Sequence, residues 1–206
     1  MVHIEKGVEP RSLAEYREST PNASYGGLPT DVKDDVRASL LIEQGSICAY
    51  CMERTKHATT TIEHSLPQSV DGARDLDYSN MLGVCPGNEG YPYSKQACGC
   101  RRKNLPLTIN PHEKTYIDTI SYAPNGQITS NVDVVNDDIN NALNLNVSFL
   151  IRNRKAALDI LKKELHRRRA SGSWKPLAEK YMAKLSEADM KRPYCGVLLW
   201  YLRSKV

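Results

Sequence analysis

One stretch of about fifty residues constrains this chain more than anything else in it. Five of its six cysteines, Cys48, Cys51, Cys85, Cys98 and Cys100, lie there, interleaved with Glu63-His64-x-x-Pro67-Gln68-Ser69 and with Asn80. Thiols this dense either pair as disulfides or gather a metal, and the redox setting decides which. Residues Met1 to Pro10 alternate charge and apolarity without the apolar core of a secretory signal, and no stretch approaches the roughly 20 apolar residues of a membrane span. The expectation is a cytoplasmic protein without membrane contact, with reduced thiols used for metal.

A Cys-x-x-Cys turn presents two thiolates from one knuckle, and zinc takes four ligands tetrahedrally. Cys48 and Cys51 fit one half of such a site, and Cys85 and Cys98 are chosen for the other. Cys100, in Cys98-Gly99-Cys100, remains an alternative to Cys98. The sixth cysteine, in Tyr194-Cys195-Gly196-Val197-Leu198-Leu199-Trp200, reads as a small buried hydrophobe without a role.

With 206 residues, 40% hydrophobic and 25% charged, and a mean hydropathy of −0.51, the chain suits one core, or one core plus a metal-held module. The division expected is an N-terminal extension and helix (1–46), a zinc module (47–112), and a hairpin with a helical C-terminal region (113–206). Thr30-Asp31 should cap a helix with Val32, Val36, Leu40 and Leu41 on one face, ended by Gly45. Residues 57–63 read as a strand, 71–78 as a polar loop, 80–84 as a second strand and 94–104 as a short helix. The fold class expected is therefore α+β, with a zinc-stapled ββα-metal module. Beyond it, 115–122 and 127–130 flank Asn125-Gly126, a hairpin turn signal. Val147, Leu150, Ile151, Ala157, Leu158, Leu161 and Leu165 then mark a long helix, with Ser171-Gly172-Ser173 as its break. Two further helices are expected near 175–185 and 193–203.

The chemistry implied by Glu63-His64 is phosphodiester hydrolysis. An imidazole is a natural general base near neutral pH, so His64 would deprotonate the attacking water. Glu63 would hold a hard divalent cation, Mg²⁺ or Mn²⁺, to stabilise charge on the phosphate and the leaving oxygen. Adjacent strand residues face opposite sides, so the two meet one phosphate only if the chain bends, which Pro67 favours. Asn80 would fix the loop carrying His64. A lone histidine after a strand is more often structural, and it is the flanking thiol pairs that favour catalysis here.

Charge is uneven. Residues 150–169 hold eight Lys or Arg against two Asp or Glu, a net +6, leaving −2 on the rest of a chain that totals +4. That helix can simply be a solvated face or meet a partner. Arg101-Arg102-Lys103 lie on the helix expected to carry the last zinc ligand, so they are expected to contact a nucleic-acid backbone.

Four segments carry a resemblance: Gln44-Gly45-Ser46-Ile47-Cys48-Ala49-Tyr50-Cys51-Met52, Ile62-Glu63-His64-Ser65-Leu66-Pro67-Gln68-Ser69, Leu76-Asp77-Tyr78-Ser79-Asn80-Met81-Leu82-Gly83-Val84-Cys85 and Leu107-Thr108-Ile109-Asn110-Pro111. Together they resemble HNH endonucleases, specifically the nuclease subunit of Septu-type and some retron-associated anti-phage systems. The likeness extends to Leu143-Asn144-Leu145-Asn146. The Glu-His-x-x-Pro-Gln-Ser stretch is also similar to the HNH domain of RNA-guided nucleases, where an acid precedes the general-base histidine. The resemblance implies metal-dependent cleavage of nucleic acid, with DNA the first expectation, in partnership with an ABC-type ATPase. It also exposes a departure. Where that family carries a His-Cys-Asp triplet and then a Lys, this chain reads Ala97-Cys98-Gly99 with Arg102. Gly99 offers no ligand, so the catalytic site is weakened, borrows a ligand such as Asn104 or His112, or is dead. The rival expectation is a non-catalytic zinc module that binds nucleic acid or docks onto the ATPase.

Overall fold

The computed structural model describes residues 1–168 and 174–206. Helices α1 (Arg11–Ser19) and α2 (Thr30–Glu43) lead into a hairpin of β1 (Thr61–His64) and β2 (Met81–Val84), followed by the short helix α3 (Cys98–Arg102). Helix α4 (Lys114–Ile117) precedes a second hairpin, β3 (Ile120–Tyr122) and β4 (Ile128–Ser130). Helix α5 (Asp133–Asp137) runs into a π-helical turn over Asp138–Ala142, and α6 (Ser148–Arg168), α7 (Lys175–Glu187) and α8 (Cys195–Arg203) complete the chain. The class is α+β with two two-stranded antiparallel sheets among the described residues, and the expected strand–strand–helix order is present. No helix is long and apolar enough to cross a membrane among the described residues.

Helix α2 buries Val32, Val36, Leu40 and Leu41, the predicted stripe. Its start differs from expectation: no side chain caps it, and Pro29, whose ring holds φ at −58°, precedes the first turn. The first strand is shorter than 57–63, because His57–Thr59 coil into a 3-10 turn. Likewise Lys114–Ile117 wind into a helical turn ahead of the second hairpin, and α3 spans only five residues of the predicted 94–104. The predicted break at Ser171-Gly172-Ser173 lies outside the described residues.

Two apolar clusters organise the described residues. The larger joins Met1 and Ile4, Ile47 to Met52, Leu82 to Cys85, the second hairpin and the inner faces of α6 and α8. The smaller packs Leu13, Val32, Val36 and Leu40 of the N-terminal helices, with Leu28 of the loop between them, against Ile62, Tyr78 and Met81. Strand β2 is thus buried on both faces, Leu82 and Val84 toward the larger cluster and Met81 toward the smaller, whereas β1 buries only the face that carries Ile62 and His64. On the strongly basic α6, Arg154 points inward. It is 1% exposed, and donates to the carbonyls of Gly126 and Leu145, tying α6 to the hairpin turn.

Candidate metal centre and adjoining His64 site

The first thiol pair is built by a tight knuckle. Ile47 and Arg54 bridge antiparallel, Met52 takes φ +64°, and the Glu53 amide points at the Cys51 sulfur at 3.4 Å. Gln44 then stitches this knuckle to β2, its side-chain amide giving to the Gly83 and Ile47 carbonyls and accepting from the Gly83 N–H. The second pair comes from the end of β2 and the start of α3. Gly87 at φ +57° lets the intervening loop close on Ala97, whose N–H donates to the Gly87 carbonyl at 2.8 Å; a Cβ there would collide with Ala97.

These supports bring Cys48, Cys51, Cys85 and Cys98 together, all buried, with sulfurs within 4.8 Å of one another. The separations Cys48–Cys98, Cys51–Cys85 and Cys85–Cys98 are 3.9, 3.6 and 3.8 Å. A tetrahedron with Zn–S bonds of about 2.3 Å has edges of about 3.8 Å, so the four sulfurs already stand at zinc's ligand spacing and far outside disulfide bonding distance. These residues can hold a metal such as zinc. Cys100 is excluded from the set, because its thiol is turned to the Gly87 and Ala97 carbonyls.

Electrostatics point the same way. Burial opposes charge on Cys48, yet hydrogen bonds from the thiols of Cys51, Cys85 and Cys98 take it well below the ordinary thiol range. Cys51 and Cys98 are held well above that range, first by their contacts with Cys48. Only a cation among the sulfurs lets all four ionise, since it removes the mutual repulsion. Cys195 is buried and its thiol is raised by burial, in keeping with a hydrophobic role.

Glu63 and His64 close β1 beside this centre, on opposite faces of the strand. Glu63 lies over Gly99 of α3: a Cβ on Gly99 would stand 2.5 Å from Glu63 Oε1 and 2.7 Å from its Cδ. Glu63 Oε2 is 3.5 Å from Arg102 Nη1. Burial pushes the Glu63 carboxyl up to about 7, against the pull of Arg102. Among the described residues Glu63 belongs to no group of three or more His, Cys, Asp or Glu side chains placed to hold a metal. Of the substitute ligands considered for the site, Asn104 lies exposed past the end of α3, and His112 pairs with the Ile4 carbonyl.

His64 is 9% exposed. Its Nε2 lies 2.8 Å from the Asp75 carbonyl, which can only accept, so a neutral ring carries its proton on Nε2 and its lone pair on Nδ1. Burial lowers the ring's pKa below the usual histidine value, partly offset by that hydrogen bond. Asn80, 2% exposed, clamps the chain just after His64. Its Oδ1 accepts from the Leu66 N–H, its Nδ2 gives to the Leu66 and Arg74 carbonyls, and its own carbonyl accepts from the Ser65 N–H.

Arg102 requires a correction. Expected at a nucleic-acid surface, it is 1% exposed. Its guanidinium gives to the carbonyls of His64 (2.7 Å), Ser65 (2.7 Å) and Leu105 (2.8 Å) and to the Tyr50 hydroxyl (2.9 Å). It ties α3, the helix that carries Cys98, to the His64 loop. Arg101 and Lys103 remain nearer the surface, flanking the half-exposed Tyr93 at 3.7 and 5.5 Å from its ring centre. Sequence reading overlooked Tyr25 and Asp75, which both contact His64 across 39 and 11 positions. No local pattern marks either contact.

The chain matches no protein-family model and no curated protein.

Proposed function

We propose that this chain is a metal-dependent endonuclease of HNH type, hydrolysing phosphodiester bonds of nucleic acid, DNA in the first instance. The observation that carries this reading is the His64 ring. Nε2 is committed to a carbonyl, Nδ1 keeps its lone pair, and the ring terminates a strand whose neighbouring carboxylate faces the metal-bearing helix. In this reading Nδ1 accepts the proton of the attacking water, and its lowered pKa keeps it unprotonated at neutral pH. The Asp75 carbonyl holds Nε2–H before and after transfer, stabilising the imidazolium that forms. Asn80 and Arg102 prevent the loop carrying His64 from shifting.

Cys48, Cys51, Cys85 and Cys98 would hold a structural zinc, and a cytoplasmic setting keeps those thiols reduced. Glu63 would hold Mg²⁺ or Mn²⁺, which stabilises charge on the scissile phosphate. One carboxylate is a sparse site, but Mg²⁺ is commonly held by one or two carboxylates with water and substrate phosphates completing its shell. An ABC-type ATPase partner and a role in anti-phage defence complete the proposal, and both rest on the resemblance of the Cys48–Cys51, Glu63-His64 and Asn80 segments.

A second reading is favoured by Gly99 and by the Arg102 guanidinium beside Glu63: a zinc module that binds nucleic acid or docks onto the ATPase without cutting. The deciding experiment is cleavage of plasmid and of single-stranded nucleic acid with Mg²⁺ or Mn²⁺, with and without the ATPase. Losing a general base removes about 10²- to 10⁴-fold in rate, so His64→Ala should abolish detectable cutting. No cutting by zinc-loaded wild type under any condition would leave the binding module as the better account.

A further inference from the structure

The loop between α1 and α2 reaches the His64 ring from a part of the chain that carries none of the expected chemistry. Tyr25 meets His64 edge to face, with ring centres 4.7 Å apart and planes at 86°. The same residue is anchored through its backbone: the Tyr25 N–H donates to Asp75 Oδ2 at 2.8 Å, and it is the Asp75 carbonyl that receives His64 Nε2 at 2.8 Å. One residue therefore joins the imidazole to the loop, its main chain holding the ring and its side chain holding Tyr25.

The loop itself is braced. Leu28 N–H donates to the Tyr25 carbonyl at 3.2 Å and Gly27 N–H to the Ser24 carbonyl at 3.1 Å. The Tyr16 hydroxyl gives to that same Ser24 carbonyl, and Leu28 is buried at 4% exposure. On α2, Lys33 Nζ lies 5.3 Å from the Tyr25 ring centre. A single hydrogen bond at Nε2 fixes which nitrogen carries the proton but leaves the plane of an imidazole free to tilt. A perpendicular aromatic neighbour removes that freedom, and the direction of the Nδ1 lone pair follows from it.

We propose that Tyr25 and the Asp75 carboxylate are positioning residues for His64, so that the N-terminal extension is a working part of the site rather than an appendage to it. The inference rests on the endonuclease reading for its kinetic consequence, but not for its structural one.

The test uses the zinc-loaded full chain with Tyr25→Ala, Tyr25→Phe and Asp75→Ala, after thermal unfolding has shown that each variant folds. The first readout is the His64 Nε2–H proton in isotope-labelled protein, identified by its absence in His64→Gln and visible while the Asp75 carbonyl protects it from exchange. It should vanish or broaden in Tyr25→Ala and Asp75→Ala and return in Tyr25→Phe, which keeps the ring contact and loses only the hydroxyl. The second is the split between kcat and KM. Displacing a catalytic group by an ångström lowers rate about 100-fold, so kcat should fall by about that factor in Tyr25→Ala, with KM within about twofold. An unchanged proton signal with unchanged kcat overturns the proposal. Lost kcat with the signal intact also overturns it, because Tyr25 would then act on the substrate itself. If wild type cuts nothing, the endonuclease reading falls separately and the proton signal alone decides whether Tyr25 positions His64.

Discussion

Removing Arg102 should unfasten the His64 loop from α3, and the size of the effect follows from what its guanidinium holds. Truncation to alanine strands the carbonyls of His64, Ser65 and Leu105 and the Tyr50 hydroxyl, and takes the counter-charge from Glu63. Each buried polar group left without a partner costs about 1–3 kcal/mol. The carbonyls nearest solvent recover water, so the sum is smaller than four full penalties. Losing one partner of a buried charged network typically removes about 3–5 kcal/mol, and that is the expected destabilisation of Arg102→Ala. Against a usual net stability of about 5–15 kcal/mol, this loss is a large one. The assay is urea unfolding of zinc-saturated wild type and variant, read as a shift in midpoint at unchanged m-value. Arg102→Lys keeps the charge but replaces a planar fork by a single compact donor, so it should recover less than half. A loss below about 1 kcal/mol would refute the burial argument. So would weakened nucleic-acid binding at full stability, since that is the signature of the surface contact read from sequence.

Other consequences follow from the same geometry. One zinc per chain should bind, with a cobalt(II) derivative showing a tetrathiolate spectrum; Cys98→Ser should lose the metal and much of the thermal stability, while Cys100→Ser keeps both, because only Cys98 faces the other three sulfurs. Zinc loss from Cys100→Ser would contradict the ligand set. Gly99→Ala drives a Cβ to within 2.5 Å of the Glu63 carboxylate, and overpacking of this kind costs about 1–3 kcal/mol. Glu63→Ala should abolish that penalty in a double-mutant cycle, and strictly additive effects would show that the two residues do not meet.

Much of the scaffold was legible before any coordinates. The stripe Val32, Val36, Leu40, Leu41 announced α2, Asn125-Gly126 announced the second hairpin, and the spacing of Leu150, Leu158, Leu161 and Leu165 announced α6. These signals are local, because helical and strand periods are written within a few residues of one another. The Cys-x-x-Cys pair was equally plain, since a knuckle is a property of four consecutive residues. Choosing between Cys98 and Cys100 was not. It depends on Cys98 at φ +58° turning its sulfur inward while Cys100 points at backbone carbonyls.

The side chains around Glu63 and His64 show where local reading ends. Residue type and spacing named both groups, together with Asn80, because their chemistry is intrinsic. Charge suggested an outward Arg102, because cations are seldom buried; the fold buries it, since the acceptors that satisfy it come from Tyr50, His64, Ser65 and Leu105, which meet only when α3 crosses the hairpin. Gly99 read as a missing ligand, whereas in three dimensions it is the space that the Glu63 carboxylate occupies. The contact of Tyr25 with His64 had no signature in the chain at all. Propensity and periodicity act over one or two turns, so sequence pointed to most of the elements and to the candidate groups. Packing acts over the whole chain, so only the tertiary structure decided which neighbours orient those groups, and which charges stay inside.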